Sequence, residues 1–253
     1  MPFTDFLLLL SAGGLAGAMN AMVGGGSFVT VPALVATGLS ALEANASSSV
    51  ALYPGGALSA FVYRGAAGFV GGVPVRRLML VSILGGCAGA ALLLWTPTRL
   101  FDRVLPWLLL TATILLAFGP RLVRLHEISV RHGRRSVLGI QLLLGIYAGY
   151  FGGAVGLLMI AAWRVLGEHD IKSLHGPRTL LVTAANTAAI ALLAAAGIVR
   201  WTACIPMGAG AMAGGYIGAR VGKRLSPRVA HITAIVISVS ITVAFFIRAH
   251  RNG

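Results

Sequence analysis

Three contiguous glycines followed by a hydroxyl, Gly24-Gly25-Gly26-Ser27, stand inside an uncharged stretch covering residues 6–42. Consecutive glycines carry the largest backbone entropy cost a helix can meet, so they favour a break. A helix that restarts after a break presents unsatisfied N–H groups and about half a positive charge, which suits an anion. Glycine also lets the backbone approach a ligand with no Cβ in the way. Gly152, Gly153 and Gly156 interrupt the uncharged stretch 136–163 in the same manner. Both groups are candidate substrate contacts. Close helix packing is the alternative use of small residues in a bilayer. For Gly85, Gly89, Gly214 and Gly218 packing is the preferred account.

Polar side chains gather near these breaks. Asn20, Asn45, Ser47, Ser48 and Ser49 lie around the first, and Thr179, Thr183 and Asn186 follow the second. Neutral donors hold an oxyanion while leaving it free to depart; interhelical hydrogen bonding is the competing use. Asn45, Ser47, Ser48 and Thr179 are the candidate ligands among them. Arg178 follows Pro177 at the start of an apolar run, a position that predicts the first turn of a helix. Its guanidinium matches an oxyanion bidentately, although a basic residue at a span end also snorkels to headgroups. Arg164 is weighed the same way. His175 titrates near neutrality and is the candidate for proton coupling, with a solvated loop histidine as the alternative. Tyr53, Tyr63, Tyr147 and Tyr150 offer hydroxyls, with packing or an interfacial aromatic belt as the commoner use.

Several chemistries lack their ingredients. Asp5, Glu43, Asp102, Glu127, Glu168 and Asp170 all flank the apolar runs, so a buried carboxylate relay or a cation site is disfavoured. The sequence has no Gly-x-Ser-x-Gly, no His-Glu-x-x-His and no intramembrane Asp dyad, which argues against an intramembrane enzyme. No metal site or cofactor is expected. Cys87 and Cys204 form no Cys-x-x-Cys pair and are read as packing residues.

The elements that must position these residues follow from composition. Of 253 residues, 57% are apolar and 10% charged, far below the ~25% charged of soluble domains. Mean hydropathy is +0.89. Uncharged runs at 6–42, 44–63, 78–98, 104–120, 136–163, 179–199, 201–219 and 229–247 mostly approach the ~20 residues a helix needs to cross a bilayer. They are continuously apolar rather than alternating, which excludes a transmembrane barrel. The net charge of +14 resides in short loops, as retention on the cytoplasmic face produces, so nucleic acid is not an expected partner. Anionic lipid headgroups are.

The chain also repeats itself. Gly13-Gly14-Leu15-Ala16-Gly17 recurs as Gly145-Ile146-Tyr147-Ala148-Gly149, an offset of 132. Val23-Gly24 and Val155-Gly156, Gly65 and Gly197, and Pro74 and Pro206 share it. Gly85-Gly86-Cys87-Ala88-Gly89 resembles Gly214-Gly215-Tyr216-Ile217-Gly218 at 129. Two repeats, 1–125 and 126–253, are joined by a basic linker at 121–135. The glycines split the first opening into pieces of about 8–23 and 27–39, short for full crossings. If each opening segment is a re-entrant helical hairpin, Arg99, Arg103, Arg200, Arg248 and Arg251 share one face and the other 15 basic residues share the opposite one. If both openings cross once, the split is 11 against 9. The positive-inside rule favours the hairpins. The expectation is an all-α polytopic membrane protein of two inverted repeats, each a re-entrant hairpin plus three transmembrane helices, with both termini outside the cytoplasmic membrane. Paired interrupted segments point to a transporter's binding site.

Gly14-Leu15-Ala16-Gly17, the glycine cluster, Val31-Pro32 and Gly38 resemble the start of the sulfite exporter TauE/SafE family of membrane permeases. Glu43-Ala44-Asn45-Ala46-Ser47-Ser48 resembles that family's step into the next span. Tyr63-x-Gly65 before Val73, and Gly197-x-Val199 before Trp201, resemble the span ends of each half. The second half departs from the first, with Arg164 in the place of Pro32 and Pro177-Arg178 in that of Asn45-Ala46. The resemblance implies proton-coupled transport of a small sulfur-containing anion, such as sulfite, a sulfonate or thiosulfate, without a nucleotide. A secondary transporter working by alternating access is the function expected, with an anion channel or, less favoured, an intramembrane enzyme as alternatives. An oligomer is compatible with it.

Overall fold

The computed structural model describes residues 1–22, 25–65, 68–125, 133–166, 171–222 and 227–251. Among these the chain forms ten helices: α1 (Phe3–Met22), α2 (Ser27–Ala36), α3 (Ala41–Val62), α4 (Val75–Trp95), α5 (Thr98–Leu125), α6 (Arg134–Tyr150), α7 (Val155–Val165), α8 (Ile171–Ala195), α9 (Trp201–Gly222) and α10 (Pro227–Arg251). Five of them are long and apolar enough to cross a membrane. Large apolar side chains such as Leu84, Ile205 and Val236 point outward, a surface that lipid rather than water solvates. The protein is an all-α, multi-pass membrane protein apart from one short hairpin.

That hairpin, β1 (Phe69–Val70) and β2 (Val73–Pro74), departs from the all-helical expectation. Gly71 and Gly72 have φ of +55° and +70°, as a two-residue turn matching strand twist requires. Val70 and Val73 pack with Leu78 and Val137 beside the start of α4.

Three further departures concern helix ends. The sequence predicts a short first piece near residue 8, but α1 starts at Phe3, with Asp5 in its first turn, where a carboxylate suits the helix pole. Its 20 residues span about 30 Å. By contrast, α2 has 10 residues and α7 has 11, about 15–17 Å. Secondly, α8 starts at Ile171, so Pro177 lies inside the helix rather than in its first turn. There it leaves the carbonyl four residues earlier without a helical donor. Thirdly, α5 runs on to Leu125 and α6 starts at Arg134, so both ends of the basic linker are helical; residues 126–132 lie outside the described residues.

Helices pack in matched pairs. α1 lies on α9 and α6 on α4; α3 lies on α9 and α8 on α4. Glycine makes the first two contacts. A Cβ at Gly13 or Gly17 would strike the backbone of Met207 or Ala211, and one at Gly210 or Gly214 that of Leu10 or Gly14. Gly85 and Gly89 meet the backbone of Leu142, Gly145 and Ile146 in the same way. Small residues that let two backbones touch are the usual means of helix association in lipid, and packing accounts for Gly85, Gly89, Gly214 and Gly218. By these contacts Gly85 and Gly89 correspond to Gly210 and Gly214, an offset of 125. The sequence similarity at 129 is therefore one helical turn out of register. Pro74 and Pro206 likewise do not correspond, because Pro74 precedes α4 whereas Pro206 is inside α9.

Two helix pairs reveal direction. The Tyr53 hydroxyl meets the Thr187 hydroxyl at 2.7 Å, and Thr183 Oγ1 donates to the Gly56 carbonyl at 3.3 Å. Numbers rise on α3 as they fall on α8, so these helices run antiparallel. Thr113 and Thr242 hydroxyls at 2.9 Å, with the Trp107 and Phe246 rings at 5.2 Å, give the same relation for α5 and α10. Phe28, Leu34, Phe101, Leu109 and Phe151 form part of the largest core cluster.

Candidate anion site at the second helix break

Between α6 and α7 the chain turns through Gly152 and Ala154, with φ of +74° and +55°. Among the described residues Ala154 is the one non-glycine held at positive φ, a conformation that costs an L-residue about 1–2 kcal/mol. The break is fixed from several sides. The Asn45 side-chain amide donates to the Tyr150 carbonyl at 3.0 Å, and the Tyr147 hydroxyl donates to the Gly153 carbonyl at 2.8 Å. The N–H groups of Leu157 and Leu158 both reach the Ala154 carbonyl, at 3.0 and 3.1 Å. Those of Ala154, Val155 and Gly156 have no acceptor among the described residues, and α7 has no side-chain cap.

Arg178 lies against this helix start. A Cβ built on Gly156 would sit 3.5 Å from Arg178 Cδ, 3.7 Å from Nε and 3.9 Å from Cζ. The side chain is half-buried and has no ion pair or hydrogen bond among the described residues. Tyr63, at the C-terminal end of α3, is near enough to interact with it electrostatically. A guanidinium beside the positive pole of a helix, with no carboxylate paired to it among the described residues, is a repulsive arrangement that an anion would relieve. N–H groups at a helix start and a planar fork, neither with a partner among the described residues, are the kinds of donor that suit a small oxyanion.

The remaining sequence candidates are distributed unevenly. Thr179 and His175 share the α8 turn with Arg178, where Thr179 Oγ1 donates to the His175 carbonyl at 2.9 Å and the His175 side chain is exposed. Arg164 lies in the last turn of α7, at the opposite end from Gly156. At the first break, Gly24 lies outside the described residues. Gly25 is buried at φ +89°, and a Cβ on Gly26 would come within 2.8 Å of the Ala16 carbonyl oxygen, so the chain has doubled back on α1. Gly26 and Ser27 begin α2 without a side-chain cap. Ser48 and Thr30 hydroxyls bond to one another. Ser47 Oγ accepts the Arg200 N–H at 3.0 Å, and the Ser47 carbonyl accepts the Cys204 thiol at 3.4 Å. Asn45, Ser47 and Ser48 are thus engaged with protein partners and almost fully buried.

Some contacts escape the sequence. Glu43 caps α3 through Ser40 and pairs with Arg200 at 2.7 Å, joining the starts of α3 and α9. Only the Ser-x-x-Glu spacing announces half of that arrangement. The partnership of Tyr147 with Gly153 has no signal beyond an aromatic hydroxyl one turn before a glycine pair. Among the described residues no group of three or more His, Cys, Asp or Glu side chains is placed to hold a metal ion.

The family described as Sulfite exporter TauE/SafE matches the chain over residues 9–247. A probable membrane transporter protein of Haemophilus influenzae is 30% identical over 212 residues, covering 82% of this chain and 81% of that protein. The probable membrane transporter protein YfcA of Escherichia coli K12 is 26% identical over 187 residues, covering 74% and 69%. The probable membrane transporter protein ORF9 of a Sinorhizobium species is 24% identical over 216 residues, covering 85% and 82%. No solved structure matches. Matched over almost its whole length and built as a multi-pass helical bundle, the chain belongs to the TauE/SafE sulfite exporter family of membrane transporters.

Proposed function

We propose that the chain is a secondary transporter of a small sulfur-containing oxyanion, of the sulfite, sulfonate or thiosulfate class. The anion binds between the Arg178 guanidinium and the first turn of α7, beside Gly152, Gly153 and Gly156, with Thr179 on the same turn of α8. One observation carries this assignment: a half-buried guanidinium, unpaired among the described residues, lies 3.5–3.9 Å from the Cβ position of Gly156. A site of this charge rejects cations and holds anions without a metal. The paired contacts of α1 with α9 and α6 with α4, and the antiparallel runs of α3 with α8 and α5 with α10, support two inverted repeats. Such halves exchange a central site between the two faces of the membrane by rocking against each other. The basic loops then face the cytoplasm and both termini face outward. His175, one turn before Arg178, is the proposed carrier of the coupled proton.

The direct test is counterflow in proteoliposomes. Vesicles loaded with unlabelled sulfite should transiently concentrate external radiolabelled sulfite, and the rate should saturate with concentration. Flux that never saturates, without counterflow, indicates a channel. No flux of sulfite, thiosulfate or taurine removes the assignment.

A further inference from the structure

The break between α6 and α7 raises a question that its glycines do not answer. In an uninterrupted helix the Tyr150 carbonyl would accept the N–H of Ala154, and the Gly153 carbonyl that of Leu157, four residues on in each case. Here neither bond exists. The Asn45 amide occupies the Tyr150 carbonyl at 3.0 Å, and the Tyr147 hydroxyl occupies that of Gly153 at 2.8 Å. Leu157 turns instead to the Ala154 carbonyl. Each side-chain donor stands in for the backbone N–H that would close the helix. Occupying these two acceptors leaves the Ala154 N–H free and tightens the first turn of α7, beside Arg178.

We infer that Asn45 and Tyr147 are positioning residues that hold this break open, keeping the amide hydrogens at the start of α7 available to the anion. They touch the backbone carbonyls and act through them. Both carbonyls are part-buried and need a donor wherever water is scarce, so removing these two donors favours helix closure as a way to satisfy both. Asn45 belongs to α3 of the first half and Tyr147 to α6 of the second, so the break is held partly from across the molecule. The inference rests on the anion site proposed at Arg178 and Gly156.

The experiment uses the purified full-length chain, with Asn45→Leu, Tyr147→Phe and the double variant beside Arg178→Gln. Hydrogen–deuterium exchange over residues 150–158 reports the break, and calorimetric titration with sodium sulfite reports the site. The double variant should exchange more slowly at Ala154, whose amide enters a helical bond to the Tyr150 carbonyl, and should bind sulfite at least tenfold more weakly. Tyr147→Phe removes one oxygen atom alone and should move both readouts in the same directions by a smaller factor, should Asn45→Leu fail to fold. A merely structural role predicts faster exchange and a lower melting temperature with unchanged sulfite affinity. Faster or unchanged exchange overturns the inference. Wild-type affinity in Arg178→Gln overturns the underlying site instead, so the two failures are distinguishable.

Discussion

Replacing Arg178 by glutamine removes the charge and the planar fork while keeping a side chain that reaches part of the way toward Gly156. The expected loss can be worked from the surroundings of the residue. A hydrogen bond to a charged group contributes about 1.5–3 kcal/mol, and tenfold in affinity corresponds to about 1.4 kcal/mol. Arg178 is half-buried rather than enclosed, so solvent screening places the effect toward the lower end, about 10- to 30-fold in sulfite dissociation constant. Arg178→Lys keeps a point charge but loses the bidentate geometry, and should fall between wild type and glutamine. Arg178 forms no ion pair or hydrogen bond among the described residues, so Arg178→Gln should not lower the melting temperature of the ligand-free protein. That separates it from a structural arginine. The assay is calorimetric titration with sulfite at constant ionic strength, repeated as the concentration dependence of uptake into proteoliposomes. A dissociation constant within twofold of wild type would refute the reasoning and return Arg178 to the class of side chains that merely reach toward headgroups.

Three further outcomes follow from particular contacts. Gly156→Ala places its methyl at an ordinary van der Waals distance from Arg178. It should fold normally and weaken sulfite binding by about three- to tenfold, roughly 0.6–1.4 kcal/mol, as read by the same titration. Gly17→Ala would drive a Cβ into the Ala211 backbone, whereas a Cβ on Gly14 meets its nearest atom, the Gly210 carbonyl oxygen, at 3.8 Å. The first substitution should cost about 1–3 kcal/mol and lower the melting temperature by several degrees, with Gly14→Ala unchanged. His175→Gln should abolish uptake driven by an imposed pH gradient while sparing sulfite counterflow, and surviving gradient-driven uptake would exclude His175 from coupling.

Composition and glycine placement made much of this architecture legible. Runs of uncharged residues announced the helices, and Gly152–Gly156 announced the second break, because glycine's backbone cost acts locally and leaves a sequence signature. Arg178 was legible for its chemistry but not its setting: the apolar run suggested that Pro177 opens a helix, whereas α8 starts at Ile171 and carries both residues inside it. Asn45, Ser47 and Ser48 were recognisable as polar groups at membrane depth. What each one bonds depends on helices up to about 150 residues away in the chain, and no local pattern encodes that. The β1–β2 hairpin has one local signal, Gly71-Gly72 between two valines, and the apolar runs on either side of it read as helix.

The two breaks are built from related segments yet are not equivalent. Aligning the starts of α2 and α7 sets Phe28 against Gly156, four residues on from the Gly24 that the offset of 132 pairs with it, and that offset sets Ala46 against Arg178. Phe28 and Ala46 are almost completely buried, so under these alignments an aromatic ring and a methyl at the first break match a bare backbone and a cation at the second. The polar residues nearest the first break, Thr30 and Ser48, are bonded to each other. Paired helix contacts are thus present in both halves, while the proposed anion site draws its cation from one. This division follows from physics as well as from the residues. A second guanidinium at a matching site would repel the first across the low-dielectric interior, and in the proposed rocking mechanism a filled first break would give the halves a rigid surface to move against. One bound anion per chain is the stoichiometry this arrangement predicts, and the sulfite titration that measures affinity also measures it. Two equivalent sites per chain would mean that the Phe28 side has been misassigned.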